Sequence, residues 1–379
     1  LLARGVRVVR LGQPVKVREK LRMATMDAKM ETHPLRRDLD TQLNLNEKLN
    51  RRINSLKGKE KGLAYRDIKK GWKEIRRIEN QIRDDILDRI QVVCCTCIGA
   101  GNEILDGRRF PQVLIDEATQ ATEPASLVPL TRGARQVVLV GDHKQLPPTV
   151  ISFRAEEKGL KRSLFERLVD LGIEPLLLST QYRMHPAISK FPNQHFYSDK
   201  LDDGINSENR PAPAGLIWPD WENPVAFVPV EGGEVVSPDG TSRENPSEVS
   251  WVIKILNDIL EAGEITKKDI GIITPYAGQV RAIRNSMNEK LDDVEVKTVD
   301  GYQGREKEVI IFSCVRSNPE QNVGFLSEKR RLNVALTRAK RGLIVIGDPA
   351  TLRGDDNWRA WLEYVRDRKF EAWHLLGMN

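Results

Sequence analysis

The stretch VLIDEATQATEP, Val113 to Pro124, decides how the middle of the chain is read. Three apolar residues run straight into Asp116 and Glu117, so two carboxylates stand where a buried strand should end. Strand followed by acid is common punctuation, and carboxylates favour helix N-termini, so the pair can be the opening of a helix. The other reading places the pair at the lip of a sheet, suited to a metal and a water. The rest of the sequence decides between them.

Outward from this point the pattern recurs. QVVCCTC, QVLID, QVVLVGD, PLLLS, DIGIITP, EVIIFSC and GLIVIGD follow one another from Gln91 onward. Near-continuous apolar runs suit parallel sheets buried on both faces. Several end in Gly, Asp, Ser or Pro, and ligands gather at the carboxyl ends of strands in open α/β sheets. The length accommodates two such sheets, with a boundary near residues 172–180. Residues 201–245, rich in Pro, Gly and Asn, read as an exposed loop region, and no fixed-period repeat is found.

Ahead of the strands, residues 35–56 and 64–90 read as two helices. In the second, Ile68, Trp72, Ile75, Ile82, Ile86 and Ile90 form one apolar stripe on a charged rod. In the first, Leu35, Leu39, Leu49, Ile53 and Leu56 do nearly the same, with a slip around Leu43 and Leu45. The segment KGKEKG separates them as a turn, so an antiparallel hairpin is expected, each stripe covering the other.

At 379 residues the chain is long for one core, and two or three domains are expected. A composition of 40% hydrophobic and 30% charged residues describes a globular protein, and no apolar run approaches the length of a membrane span. No membrane partner is expected. The formal charge of +6 is uneven: residues 1–90 hold 24 Lys and Arg against 13 Asp and Glu. That basic third suits contact with a polyanion, or simply a solvated helix surface. The cluster Cys94, Cys95 and Cys97 lacks a second ligand pair at finger-like spacing, so these three thiols read as small buried side chains, and with Cys314 they make no disulfide framework, which implies a reducing compartment.

Further motifs add chemistry. GDHKQLPPTV, residues 141–150, offers Gly141 for a tight turn and Gln145 as an amide able to touch a terminal phosphate and an attacking water; it also reads as an ordinary Pro-bounded loop. QYRMHP, residues 181–186, holds an Arg between an aromatic and a rigid Pro, as an arginine finger requires. RRLNVALTRAKRG, residues 330–342, reads as a basic amphipathic helix carrying Arg331, Arg338 and Arg341, and TVDGYQGREKEVIIFSCVRSN, residues 298–318, adds Gly-rich turns and Glu306.

In their order and spacing these motifs resemble superfamily-one helicases, and within them the family of the nonsense-mediated-decay RNA helicase (regulator of nonsense transcripts). VVCCTCIGAG, LIDEATQATEP, LVGDHKQLPP, SLFERLVDLGI, QYRMHPAIS, GIITPYAGQ, VDGYQGREKEVIIFSCVRSN and GFLSEKRRLNVALTRAKRG carry the match over about residues 90–350. HKQLPPT and VDGYQGREKE are also similar to the immunoglobulin-switch-binding helicase. The resemblance implies an α/β fold of two RecA-like parallel-sheet domains with an inserted helical hairpin. Residues 1–91 would hold the end of the first domain's N-terminal part and the basic hairpin (about 30–90), residues 92–176 the rest of that domain, and residues 177–379 the second.

It also implies roles for individual residues. Asp116 would hold Mg2+ through water, Glu117 would be the catalytic base, and Gln145 would sense the γ-phosphate. Arg183 and Arg338 would be the two arginine fingers. Tyr182 would stack on the base of ATP, with Gly304 and Glu306 beside it and Glu306 on the ribose. Thr149, Thr298 and Arg305 would lie near the nucleic-acid track. The resemblance further implies ATP and Mg2+ as cofactors and 5′ to 3′ movement on single-stranded RNA, with DNA as the alternative. A cytoplasmic (or nuclear) monomer working with decay or release factors is expected.

One departure stands out. The family's phosphate-cradling loop, G-x-x-x-x-G-K-[ST], is not found, since LKGKEKG has the wrong spacing. The first RecA-like domain is therefore expected to be incomplete at its N-terminus, the chain to be a piece of a longer helicase, and the piece alone to hydrolyse ATP poorly. A chain degenerate in ATPase activity, acting as a nucleic-acid-binding module, is the alternative.

Overall fold

A computed structural model describes residues 1–13, 19–289 and 291–376. The chain divides into two compact units, Leu1–Gly141 with Ile151–Leu164, and Asp142–Val150 with Phe165–Asn379. Among the described residues no helix is long and apolar enough to cross a membrane.

In the first unit, helices Arg36–Arg52 and Gly58–Asp88 pack on each other. Leu39 clusters with Ile75, Ile78, Ile82 and Ile86, while Ile53 clusters with Ala64 and Ile68. The start of one helix thus meets the end of the other, and the expected antiparallel hairpin forms. Two details differ. KGKEKG is mostly the opening turn of the second helix, because Lys and Glu are good helix formers, and Ile53–Ser55 makes the link as a short 3-10 turn. Trp72 is 50% exposed and falls off the buried stripe.

The same unit holds four strands. β1 (Val8–Arg10) pairs in parallel with β2 (Val92–Cys94), and β3 (Gln112–Ile115) pairs in parallel with β4 (Gln136–Leu139). These are two separate pairs, and the expectation of strands buried on both faces fails here: Leu114 is 65% and Val138 52% exposed. The thiols differ too. β2 ends at Cys94, so the chain leaves the sheet with Cys95 exposed and Cys94 and Cys97 half-buried, and only Cys314 is a buried side chain.

The second unit begins with a short parallel pair, β5 (Thr180–Gln181) and β6 (Asp202–Asp203). The expected strand in PLLLS is absent. Residues 173–178 form no strand, and the Ser179 carbonyl accepts from the Asp202 N–H at 2.8 Å, while Leu176 and Leu178 lie open to solvent, because apolar composition does not make a strand without a neighbour to bond. β7 (Val225–Pro229) is buried throughout, which corrects the reading of 201–245 as exposed loop. Trp218 within that stretch is buried as well, its indole N–H donating to the Pro213 carbonyl at 2.8 Å. A small hairpin, β8 (Val235–Val236) with β9 (Arg243–Glu244), precedes β10 (Ile270–Thr274), β11 (Glu295–Thr298), β12 (Lys307–Ser313) and β13 (Ala339–Gly347).

The main sheet has the order β11-β10-β12-β13-β7, all parallel. Its side chains alternate between two cores, as the strand period of two demands. Val225, Phe227, Ile310, Phe312, Leu343 and Val345 face one, with Trp358 and Trp361 of helix Asp356–Asp367. Ala226, Val228, Val309, Ile311, Ile344 and Ile346 face the other, with Val252 and Ile255 of helix Pro246–Glu261 and Ile283 of helix Ala277–Ser286. The expected basic helix over 330–342 is cut short at Leu336. The Thr337 hydroxyl donates to the Asn333 carbonyl at 2.7 Å, and the β-rich run GLIVIG then draws the chain into β13. Only Arg331 of the three arginines is helical; Arg338 sits in the turn and Arg341 on the strand.

Candidate active site

Asp116 and Glu117 follow β3 directly and both side chains are exposed. Glu117 occupies left-handed backbone at φ 52°, ψ 41°, which a residue with a Cβ adopts at a cost. The turn is held by the Glu117 N–H donating to Asp116 Oδ1 at 3.1 Å and the Ala118 N–H donating to the Val140 carbonyl at 2.8 Å. Gln120 Nε2 donates to Glu117 Oε2 at 2.7 Å. Among the described residues neither carboxylate is in an ion pair, so hard oxygen acceptors remain open at the end of a parallel strand. That donor set suits a cation that keeps most of its water. No cluster of three or more potential metal-holding side chains is found among the described residues, so a tight all-protein cage is not what these residues offer.

In the second unit a connected set of polar groups surrounds the loop 142–150. Gln145 Nε2 donates to Asp142 Oδ2 at 2.9 Å, and Gln145 Oε1 accepts from Arg338 Nη2 at 3.3 Å. Arg338 is only 2% exposed, and its Nε donates to the Val334 carbonyl at 3.0 Å. The same Nη2 reaches Thr337 Oγ1 at 2.9 Å, while the Thr337 carbonyl accepts from Arg183 Nη1 at 3.0 Å. Arg183 Nε in turn donates to Glu306 Oε2 at 2.6 Å. Gln145, Arg338, Arg183 and Glu306 are therefore one network.

Glu306 also meets Lys340 Nζ at 3.2 Å. Burial pushes its carboxyl up, but the Arg183 and Lys340 cations outweigh that and leave it below the usual carboxylate range. Gly304, at φ +70°, makes the tight turn that delivers Glu306 from the end of the Tyr302 turn. Tyr182 is 67% exposed, an open aromatic face next to Arg183.

The remaining candidates stand apart. Thr149 is exposed, and Thr298 closes β11, its hydroxyl oxygen accepting from the Gly301 N–H at 3.3 Å. Arg305 is paired with Glu295, the first residue of β11, and so does not join Thr298 at the strand's other end.

Three participants were not visible in the sequence. Tyr197 Oη donates to Asp142 Oδ2 at 2.6 Å, and Asn333 Nδ2 donates to Tyr197 Oη at 2.8 Å and to the Lys144 carbonyl at 2.9 Å. Burial, and then the Asp142 carboxylate, push the Tyr197 phenol well up, so it stays a donor. These groups fix the loop that carries Gln145. Asp142 lies inside a motif quoted for its neighbour Gln145, whereas Tyr197 and Asn333 give no local signal, because their partners are more than a hundred residues away for Asn333 and on another element for Tyr197.

Two family profiles, both described as AAA domain, match residues 2–153 and 160–350. The chain belongs to the AAA-domain family. Within that family it is similar to a regulator of nonsense transcripts 1 homolog from Drosophila melanogaster, 45% identical over 78% of this chain and 26% of the relative. A homolog of the same description from Neurospora crassa is 46% identical over 78% of this chain and 28% of the relative. The ATP-dependent helicase NAM7 of Saccharomyces cerevisiae is 44% identical over 81% of this chain and 32% of that protein.

The chain thus spans between a quarter and a third of the length of these curated relatives. The resemblance to the nonsense-transcript regulators, expected from the motifs, is shown, and with it the α/β class of two RecA-like domains. A solved C-terminal domain of a possible DNA helicase from Lactobacillus aligns at 15% identity and TM-score 0.27 over 47% of this chain and 96% of that one, too loosely to bear on the fold.

Proposed function

We propose that the chain is part of an ATP-dependent RNA helicase of the nonsense-mediated-decay type, moving 5′ to 3′ on single strands. The observation that carries this reading is the contact of Gln145 with Arg338 within the network that also holds Arg183 and Glu306. An amide and two guanidinium groups, each in fixed geometry, suit the charge that spreads over a transferring phosphoryl group.

In this reading Asp116 would help to hold Mg2+, and Glu117 would take the proton from the attacking water. The metal, when bound, would neutralise phosphate charge. Arg183 and Arg338 stabilise the phosphates, Gln145 registers the terminal one, and Glu306 contacts the ribose while Tyr182 stacks on the base. Arg183 is held through Nε by Glu306 and through Nη1 by the Thr337 carbonyl, which leaves its remaining guanidinium N–H groups to meet phosphate. Decay or release factors are the proposed protein partners, and the cytoplasm, with the nucleus as the alternative, the proposed location. DNA is the alternative polymer, distinguished by the missing 2′-hydroxyl.

The test has two arms. The 379 residues alone, having no G-x-x-x-x-G-K-[ST] loop, should hydrolyse ATP at background with or without RNA. In the longer parent that this reading implies, Glu117→Gln should cut turnover by about a hundredfold or more while leaving RNA binding intact, the loss typical of a catalytic base. Unchanged turnover in Glu117→Gln would refute the assignment. RNA and DNA of equal length in competition separate the two polymers.

A further inference from the structure

Phe325 is held away from the core by the residues around it. It lies in the 3-10 turn Gly324–Ser327 and is 58% exposed, whereas its neighbour Leu326 is 3% exposed. The Leu326 carbonyl accepts from the indole N–H of buried Trp358 at 3.0 Å, which pins the turn from below. The Phe325 N–H donates to the hydroxyl of Tyr276 at 3.3 Å, and the two rings lie 5.4 Å apart, tilted by 51°. The Arg331 guanidinium lies over the Phe325 ring, 5.4 Å from its centroid, and its Nε is itself fixed by Asp300 Oδ2 at 3.3 Å.

These contacts place the ring at a particular edge of the sheet. Tyr276 stands two residues past the end of β10, and Asp300 two residues past the end of β11, so both lie beyond the carboxyl ends of adjacent parallel strands. Ligands of open α/β sheets bind at that edge. Thr298, a nucleic-acid candidate, is the last residue of β11. An isolated surface aromatic is ordinary. A ring fixed by a backbone hydrogen bond, a neighbouring aromatic and an anchored guanidinium has little freedom left to lose on binding.

We propose that Phe325, backed by Arg331 and Tyr276, is a stacking platform for one base of a single-stranded nucleic acid. The proposal deepens, and rests on, the nucleic-acid-motor reading above. Every base has a π-face, so the platform is indifferent to sequence, as a translocating protein requires. Arg331 is charge-paired with Asp300, so its part is to hold and polarise the ring, leaving phosphate contacts to other groups.

The test is binding of a short fluorescein-labelled single-stranded RNA, and of the same sequence as DNA, by the 379-residue chain over a range of salt. Phe325→Ala should weaken binding by roughly tenfold, within the range of one base stacked on an aromatic. The loss should be the same at every salt concentration, because no phosphate contact is removed. Phe325→Leu, equally apolar but without a π-face, should lose nearly as much, and Phe325→Trp should keep the affinity and gain an indole fluorescence that RNA quenches.

Equal binding by wild type and Phe325→Ala overturns the platform and leaves the nucleic-acid reading standing. Full binding by Phe325→Leu overturns stacking in favour of a plain apolar contact, such as a protein partner would make. Absence of binding by the wild type at low salt overturns both readings. Because Phe325 is exposed, unchanged thermal unfolding of the variants is expected and ties any loss to the surface.

Discussion

The strand β3 reads QVLI and β10 reads IGIIT, yet Leu114 is 65% exposed while Ile272 and Ile273 are fully buried. Both are parallel strands of apolar residues at the entrance to a candidate site. The difference lies in their neighbours: β10 is flanked by β11 and β12 and covered by helices on both faces, whereas among the described residues β3 has β4 alone as its partner. A two-stranded sheet cannot bury its own faces. Strand composition therefore reports a tendency, and the number of layers around the strand decides how much that tendency is worth.

This contrast can be broken most directly by amide hydrogen exchange. Amides of β12 should exchange at least about a thousandfold more slowly than those of β4, since core strands open only with the whole unit while a lone pair opens locally. Similar protection in both would mean that β3 and β4 are as firmly held as the five-stranded sheet.

Truncation sharpens the same point. Ile311→Ala, in a fully buried position of β12, should lower the unfolding free energy by about 2–5 kcal/mol. Val138→Ala, on half-exposed β4, should stay within about 0.5 kcal/mol in the same denaturant titration. Comparable losses at the two sites would contradict the reading that layers make the difference.

A further contrast concerns charge. Glu248 is completely buried beneath β12, where it accepts from the Ser313 hydroxyl at 2.6 Å and from the Val315 N–H at 2.8 Å. Burial, with a smaller push from Asp348, raises its carboxyl to about 8 from an ordinary 4.5. Between those values the folded protein keeps a proton that the unfolded chain has lost, so this group's contribution to stability falls as pH rises from 4.5 to 8. The slope cannot exceed about 1.4 kcal/mol per pH unit. Glu248→Gln should flatten it when unfolding is followed against pH, and an unchanged slope would show that another group titrates.

Much of the molecule was legible in the linear pattern. The helical hairpin and strands β10, β12 and β13 followed from local periodicity, and Asp116 and Glu117 stand at the end of the apolar run that was read as a strand, whereas the roles given to Gln145, Arg183, Glu306 and Arg338 came with the family resemblance. The failures share one cause. PLLLS has strand composition but no partner, Val225–Pro229 lay hidden among turn residues, and RRLNVALTRAKRG changed from helix to strand at Thr337 because a neighbouring strand was waiting for it. Arg305, which the resemblance would place near the nucleic-acid track, is paired with Glu295.

The sequence by itself determined which segments are apolar with strand or helix period, which side chains are candidates for chemistry, and which family they resemble, because those properties are local to a few residues. Only the tertiary structure decided which strands are buried, that Gln145 meets Arg338 and is steadied by Tyr197 and Asn333, and that Phe325 faces outward. Each of these depends on groups brought together by folding from distant parts of the chain, and no local pattern encodes the distance between them.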